Sequence, residues 1–280
     1  MESEILINNG IQGEETTVYF ISQDAVFPQL RPTCYIENLQ QGDQILRVWS
    51  EQSLLYNGND RNDLWNTVVE LLEQAQEQII PVPVPDVRGG TLFIKCLATI
   101  KDKFNRTRTI SSQVVPHTIL AKQPVKKYIR AQLKSDYLHA VVYKRSAFEQ
   151  FTIDGEPIFD NGVGLYRISK PSVSEIWNWK LNAETANTDF EKRKVIASQI
   201  PEKYRNEDPD LYKGLPDFTL KQIELEALQS YGTGSYHIPK KSGLSRKWHW
   251  VKGTQNDDYA DACLNLLKEV SAGKPPVGWD

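Results

Sequence analysis

Two periods of apolar residues divide the chain. Up to about residue 121, apolar and polar positions tend to alternate, which is the pattern of strands that bury one face. Thr17–Ile21 (TVYFI), Thr33–Ile36, Ile45–Trp49 and Thr91–Ile94 are rich in β-branched and aromatic residues and predict strands. Gly42-Asp43 and Asn57-Gly58 read as turns between them. One stretch departs from this period. Asp63–Gln78 (DLWNTVVELLEQAQEQ) places Leu64, Val68, Leu71, Leu72 and Ala75 at helical spacing behind Asp63, a suitable N-cap, so a helix is expected there. Pro81, Pro83 and Pro85 then keep the chain extended and out of any central strand, and Arg88-Gly89-Gly90 turns it into the next strand. The region reads as a small antiparallel β-sandwich of immunoglobulin-like type.

Beyond Val115–Pro124, where Pro116 and Pro124 bracket a polar stretch, the period becomes helical. A helix is predicted over about 125–146, with Ile129, Leu133, Tyr137, Leu138, Val141 and Val142 as its apolar stripe. Further helical blocks cover Ser174–Ala197, Thr219–Tyr231, which Thr219 would cap, and Asp258–Ala272. The expected architecture is therefore α+β and multidomain: a β-rich domain over residues 1–121 and a mostly α domain over 122–280.

The chain has 280 residues, enough for two cores, with 40 % apolar and 25 % charged residues. A net charge of −3 and a pI near 5.9 give no general attraction to nucleic acid. The N-terminus, MESEILINNG, has neither a basic n-region nor a long apolar run, so neither a signal peptide nor membrane insertion is expected. Cys34, Cys96 and Cys263 form no CxxC or Cys/His cluster, so neither a metal nor another cofactor is expected. Cys34 and Cys96 both fall in strand-like sequence and would be able to bridge two sheets, a pairing that spacing leaves open. His117, His139, His237 and His249 are scattered and suggest no triad. Seven Trp and twelve Tyr are the chief departure from ordinary composition. Such rings either fill cores or grip sugars and peptides.

The chemistry concentrates in four short segments. Leading into Ala140–Phe151 (AVVYKRSAFEQF), Leu138, Val141, Val142 and Arg145 lie at i, i+3, i+4 and i+7, so a permanently charged guanidinium falls on or beside an apolar stripe. It must find a partner or snorkel to water. Then come Gly164-Leu165-Tyr166-Arg167-Ile168 (GLYRI), Trp177–Asn182 (WNWKLN) ahead of a long helix, and Ala227–Gly234 (ALQSYGTG). In this order and on these elements, the segments resemble those of the lytic transglycosylase and lysozyme-like superfamily, over roughly residues 125–265.

That resemblance implies a lysozyme-like fold for the second domain and a glycan cleft directed at the peptidoglycan strand. Ser146 matches the family serine, and Gly164 and Tyr166 the segment that lines the cleft. Asn182 matches the asparagine before the helix, and Tyr231 the tyrosine that approaches the acid, with Gly232 in place of the usual Asn. Phe151, Trp177 and Trp179 join the implied substrate-binding set, although Trp177 and Trp179 would serve equally as packing and Asn182 as a helix cap.

Arg145 stands where the family has its catalytic Glu. Glycoside cleavage needs a protonated carboxyl beside the leaving oxygen. An arginine has no titratable proton near neutral pH and no acceptor. Loss of a general acid typically removes about 10²–10⁴ in rate. Three accounts follow: a variant whose acid was replaced, a natural pseudoenzyme that binds glycan without cutting it, or a substitute acid. For the last, Glu149 would lie one turn later if the helix continued, with Asp154, Glu156 and Asp160 in the following loop as weaker candidates.

Trp248-His249-Trp250 reads as a hairpin edge, and Lys240, Lys241, Arg246 and Lys247 as a basic patch suited either to solvent or to an anionic wall polymer. With no leader expected, a wall target implies non-Sec delivery to the periplasm or cell wall, by a phage tail or a secretion system. Delivery machinery or a cognate inhibitor would then be further partners. A non-catalytic binding or structural module of such an apparatus is the alternative reading.

Overall fold

The computed structural model describes residues 3–8, 17–58, 61–71, 77–243, 247–253 and 258–280. It is mixed α+β and divides into two compact units that are discontinuous in sequence. Unit 1 comprises residues 1–124, 150–163 and 169–178. Unit 2 comprises residues 125–149, 164–168 and 179–280. A single boundary near 121/122 therefore understates the division. Two segments from the second half complete the β-rich unit, because Phe151, Val163, Ile176 and Trp177 are buried in its core. Gln123 Oε1 accepts hydrogen bonds from the backbone N–H groups of Gln150 and Phe151, which fixes where the first of these segments enters.

Unit 1 contains β1 (Glu4–Asn8), β2 (Thr17–Ile21), β3 (Thr33–Glu37), β4 (Gln44–Gly58), β5 (Arg61–Leu71), β6 (Glu77–Ile79), β7 (Gly90–Lys101), β8 (Thr107–Ser111) and β9 (Val115–Ala121). β1, β3 and β6 form one antiparallel sheet. The larger sheet runs β2-β9-β7-β4-β5, with β8 paired to β7 and a parallel β2–β9 pair. Alternation sets the faces. Along β7, Leu92, Ile94, Cys96, Ala98 and Ile100 point inward, and along β3, Cys34 and Ile36 do. These residues meet in one core with Val48 and Leu54 of β4 and Ile119 of β9. The four strands expected at Thr17, Thr33, Ile45 and Thr91 are all present.

The helix expected over Asp63–Gln78 is not. Residues 61–71 form β5, paired along its whole length with β4 from Gly58↔Arg61 to Val48↔Leu71. Asn57 and Gly58, expected as a turn, lie in β4, at its end. The β-branched run Thr67-Val68-Val69 and Trp65 suit a pleated surface, and the long ladder outweighs the local helical spacing. Leu72 and Ala75 of that expectation lie outside the described residues.

Unit 1 also holds α3 of the chain, so the helices are named here together: α1 (Lys126–Gln132), α2 (Asp136–Ser146), α3 (Val173–Trp177), α4 (Trp179–Ser198), α5 (Ile200–Glu207), α6 (Leu220–Gln229) and α7 (Tyr259–Ser271). The helix expected over 125–146 is broken between α1 and α2. Ser135 caps α2 by accepting from Tyr137 N, and Asn187 of α4 bonds both Lys134 N and Gln132 O across the break. Thr219 caps α6 as expected, within a capping box with Gln222. The hairpin β10 (His237–Lys241) and β11 (Trp248–Lys252) follows α6. Leu138, Val141 and Val142 of α2, Phe190 of α4, Leu228 of α6 and Cys263 of α7 lie in the interior of unit 2. No helix among the described residues is long and apolar enough to cross a membrane.

Candidate functional site

α2 ends abruptly. Ala147 and Phe148 both adopt left-handed backbone conformations, at φ 50° and 63°. That turn drives Phe148 into the interior of unit 2, against Tyr143 and Trp279. Two consecutive non-glycine residues in this region are strained and are held by that packing. The turn also destroys the helical phase on which a role for Glu149 depends. Glu149 is exposed and lies beyond the end of α2, so helical phase does not place it one turn from Arg145. Asp154, Glu156 and Asp160 belong to unit 1 and are exposed.

Arg145, in the last turn of α2, is half-buried and engaged. Its guanidinium carbon lies 4.6 Å from the centre of the Tyr166 ring and 5.1 Å from that of Tyr231. Its Nη1 donates to the Tyr166 carbonyl at 2.7 Å, and its own carbonyl accepts from Arg167 Nε. The charge thus rests on two π faces and a backbone oxygen.

The remaining motif residues build this cradle. Tyr166 sits on the loop opened by Gly164, whose φ of 73° suits glycine. Tyr166 N donates at 2.8 Å to Oδ1 of Asn182, which is fully buried in the first turn of α4. Asn182 is neither a helix cap nor exposed to a ligand; it orients the loop that carries Tyr166. Tyr231, just beyond α6, stands edge-on to Tyr166 at 5.9 Å and stacks on Phe190 at 6.4 Å.

A second layer lies on the same face of α4. Asp189 accepts from the Tyr166 hydroxyl and, at 2.6 Å, from Arg193 Nε. The Arg193 guanidinium lies 4.1 Å from the Tyr231 ring centre and also donates to the carbonyl and hydroxyl of Ser230. Tyr259 of α7 approaches Tyr231 at 6.3 Å. Burial opposes ionisation of Asp189, but the Tyr166 hydroxyl and the two guanidinium groups hold its carboxyl below the usual range. Burial, with Tyr231 and Asp189 nearby, pushes the Tyr166 hydroxyl well up. Burial chiefly pushes Tyr231 to about 12.

Asp189, Arg193 and Tyr259 were not singled out by the sequence. A signal existed for two of them: Asn182, Ala186, Asp189 and Arg193 recur at helical spacing, so two charges share the stripe of a buried asparagine.

The other expected site residues go elsewhere. Ser146 is buried and spends its hydroxyl on the Val142 carbonyl one turn back. Trp179 is buried at the start of α4. Phe151 and Trp177 belong to unit 1, where they stack at 6.1 Å in the core, with Trp177 also edge-on to Tyr56 at 5.3 Å. None of these four presents a free face to a sugar. Trp248 and Trp250 of β11 donate their indole N–H groups to the Leu211 and Pro216 carbonyls, so the hairpin is held down by its own aromatic residues. Arg246 of the basic patch lies outside the described residues.

The cluster can hold charge, but its central side chain has no proton to give up near neutral pH for general-acid work. Arg145, Arg193 and Asp189 together leave a net positive charge there.

No protein-family profile matches the chain, and no curated protein does. Among solved structures, Spo0M, a sporulation control protein from Bacillus subtilis, is similar at 10 % identity and a TM-score of 0.21, over 50 % of this chain and 54 % of that one. A family 123 glycoside hydrolase from Clostridium perfringens, described for glycolipid glycan hydrolysis, is similar at 10 % identity and a TM-score of 0.21, over 100 % of this chain and 57 % of that one. The chain thus spans a little over half the length of each, and likenesses this slight carry no argument about fold or function.

Proposed function

We propose that unit 2 is a lysozyme-like module that binds the glycan strand of peptidoglycan without cutting it, with unit 1 as an immunoglobulin-like accessory domain. The observation that carries this reading is convergence. Arg145, Tyr166, Asn182 and Tyr231, taken from four segments matched only by order and short motifs, contact one another in a single cluster. At its centre, where the resemblance calls for a proton donor, a guanidinium lies against two tyrosine rings. Arginine serves binding there: it pairs with carboxylates in a planar fork and does not titrate. The surplus positive charge suits an anionic wall polymer, and Arg145 and Tyr231, both half-buried, are the accessible parts of the cluster, whereas Tyr166 is buried. Action at the cell wall or periplasm, after delivery by an apparatus that bypasses the general secretory route, belongs to the same reading.

Purified sacculi test it. The parent chain is expected to sediment with insoluble peptidoglycan and to release neither anhydro nor reducing muropeptides. Arg145→Ala is expected to weaken sedimentation about tenfold, the loss of one charge-assisted contact. Arg145→Glu asks whether the frame still accepts a catalytic acid, and muropeptide release by that variant would establish the position as the family acid. Glu149→Gln is expected to leave binding unchanged. A folded parent chain that stays in the supernatant at every salt concentration overturns the proposal.

A further inference from the structure

Cys34 and Cys96 lie on different sheets of unit 1, at inward-facing positions of β3 and β7. Both are buried, at 1 % and 0 % exposure, within the same core. Both are free thiols, and their side chains lie close enough across the gap between the sheets to act on each other. Cysteines whose side chains point apart cannot be bridged without moving backbone, whereas these already face each other. Cys263 is buried in unit 2 and takes no part.

We propose that Cys34 and Cys96 are a latent inter-sheet disulfide, closed by exchange with a small-molecule disulfide such as oxidised glutathione. This inference is independent of the glycan reading. Cys34 is carried on β3, in the small sheet that opens, so it is the thiol that meets the oxidant and loses its proton first. The Cys34 thiolate attacks the oxidant's S–S bond, forming a mixed disulfide and expelling one glutathione thiolate. Cys96, giving up its proton, then attacks Cys34 Sγ and expels the second glutathione. Two thiols become one disulfide, and one glutathione disulfide becomes two thiols. Both sulfurs are covered in the folded unit, so the exchange proceeds through opening of the small β1-β3-β6 sheet or during folding. The bridge would close a loop of about 60 residues and staple one sheet to the other.

Peptide mapping of the parent chain is the test. The protein is held in oxidised glutathione, quenched with acid, alkylated in denaturant and digested without reduction. The expected result is a linked peptide containing Cys34 and Cys96, with Cys263 alkylated. The thermal midpoint of unit 1 is expected to rise by about 10 °C, reversibly with dithiothreitol. Cys34→Ser and Cys96→Ser are each expected to abolish that rise. Alkylation of both Cys34 and Cys96 after oxidation, a stable glutathione adduct without the bridge, or a linkage that includes Cys263 overturns the proposal. The mapping needs no variant to fold.

Discussion

Removing the guanidinium from the tyrosine cluster tests whether Arg145 is built into unit 2 or merely rests on it. Arg145→Ala deletes a charge-assisted hydrogen bond to the Tyr166 carbonyl and two ring contacts. A hydrogen bond to a charged group contributes about 1.5–3 kcal/mol, and a partly exposed cation–π pair about 0.5–1 kcal/mol. The half-exposed position and the side-chain entropy that Arg145 regains on unfolding reduce the total, so a net cost of about 2–3 kcal/mol is expected. For a unit of this size, 1 kcal/mol shifts the midpoint by about 3–4 °C, so the unit 2 transition should fall by about 10 °C. Arg145→Lys keeps the charge and loses the planar stacking, and should recover less than half of this. A cycle of Arg145→Ala with Tyr231→Leu should return a coupling of about 1 kcal/mol. The assay is scanning calorimetry, with hydrogen exchange across α2 and the GLYRI loop to assign the transition. A cost for Arg145→Ala below about 0.5 kcal/mol, within the range of an ordinary surface change, refutes the reasoning.

Three further perturbations follow. The depressed Asp189 carboxyl contributes stability that is present above the unfolded carboxylate range near pH 4 and is lost as pH falls through its lower folded value, so Asp189→Asn should flatten the acid limb of the unit 2 stability profile, read from urea midpoints between pH 5 and 2. At Gly89 an added Cβ would lie 2.4 Å from Trp177 Cζ3, inside the core of unit 1, so Gly89→Ala should destabilise that unit by about 1–3 kcal/mol, seen as a lower urea midpoint with an unchanged slope. Trp279 is buried against Tyr143 and Phe148, each at 5.3 Å, and Trp279→Ala should cost about 3–5 kcal/mol and speed exchange of the α2 amides.

Much of the architecture was legible in the chain, and the failures share a cause. Strands with clean alternation and β-branched residues, such as Thr91–Ile94, were placed correctly, as were helices with a capping residue, such as the one behind Thr219. Asp63–Gln78 failed because Leu64, Val68 and Leu71 satisfy helical spacing, while the deciding term was the ladder with β4, a partner distant in sequence. The break before α2 was signalled by Ser135 and Asp136, a capping pair inside an apolar stripe, but its fixing by Asn187 is a tertiary contact. The candidate site divides in the same way. The motif residues Arg145, Tyr166, Asn182 and Tyr231 came together, whereas Phe151 and Trp177 were drawn into another unit's core. Aromatic residues near a motif give no sign of which core will bury them.

The cluster also bears on what a motif resemblance can mean. Each matched position makes a contact that unit 2 needs irrespective of catalysis: Asn182 fixes the Tyr166 backbone, Tyr166 and Tyr231 carry the guanidinium, and Asp189 ties the Tyr166 hydroxyl to Arg193. Such residues are held by packing and hydrogen bonding even when no bond is cleaved. Such a frame accepts whichever side chain at position 145 satisfies the same neighbours. Arginine does so at position 145: its stem continues the helix stripe, its plane matches the rings and its N–H meets a carbonyl. Resemblance at such positions therefore bears on packing, while chemistry rests on the side chain at position 145. Arg145→Glu separates the two by placing an acid in an otherwise unchanged frame.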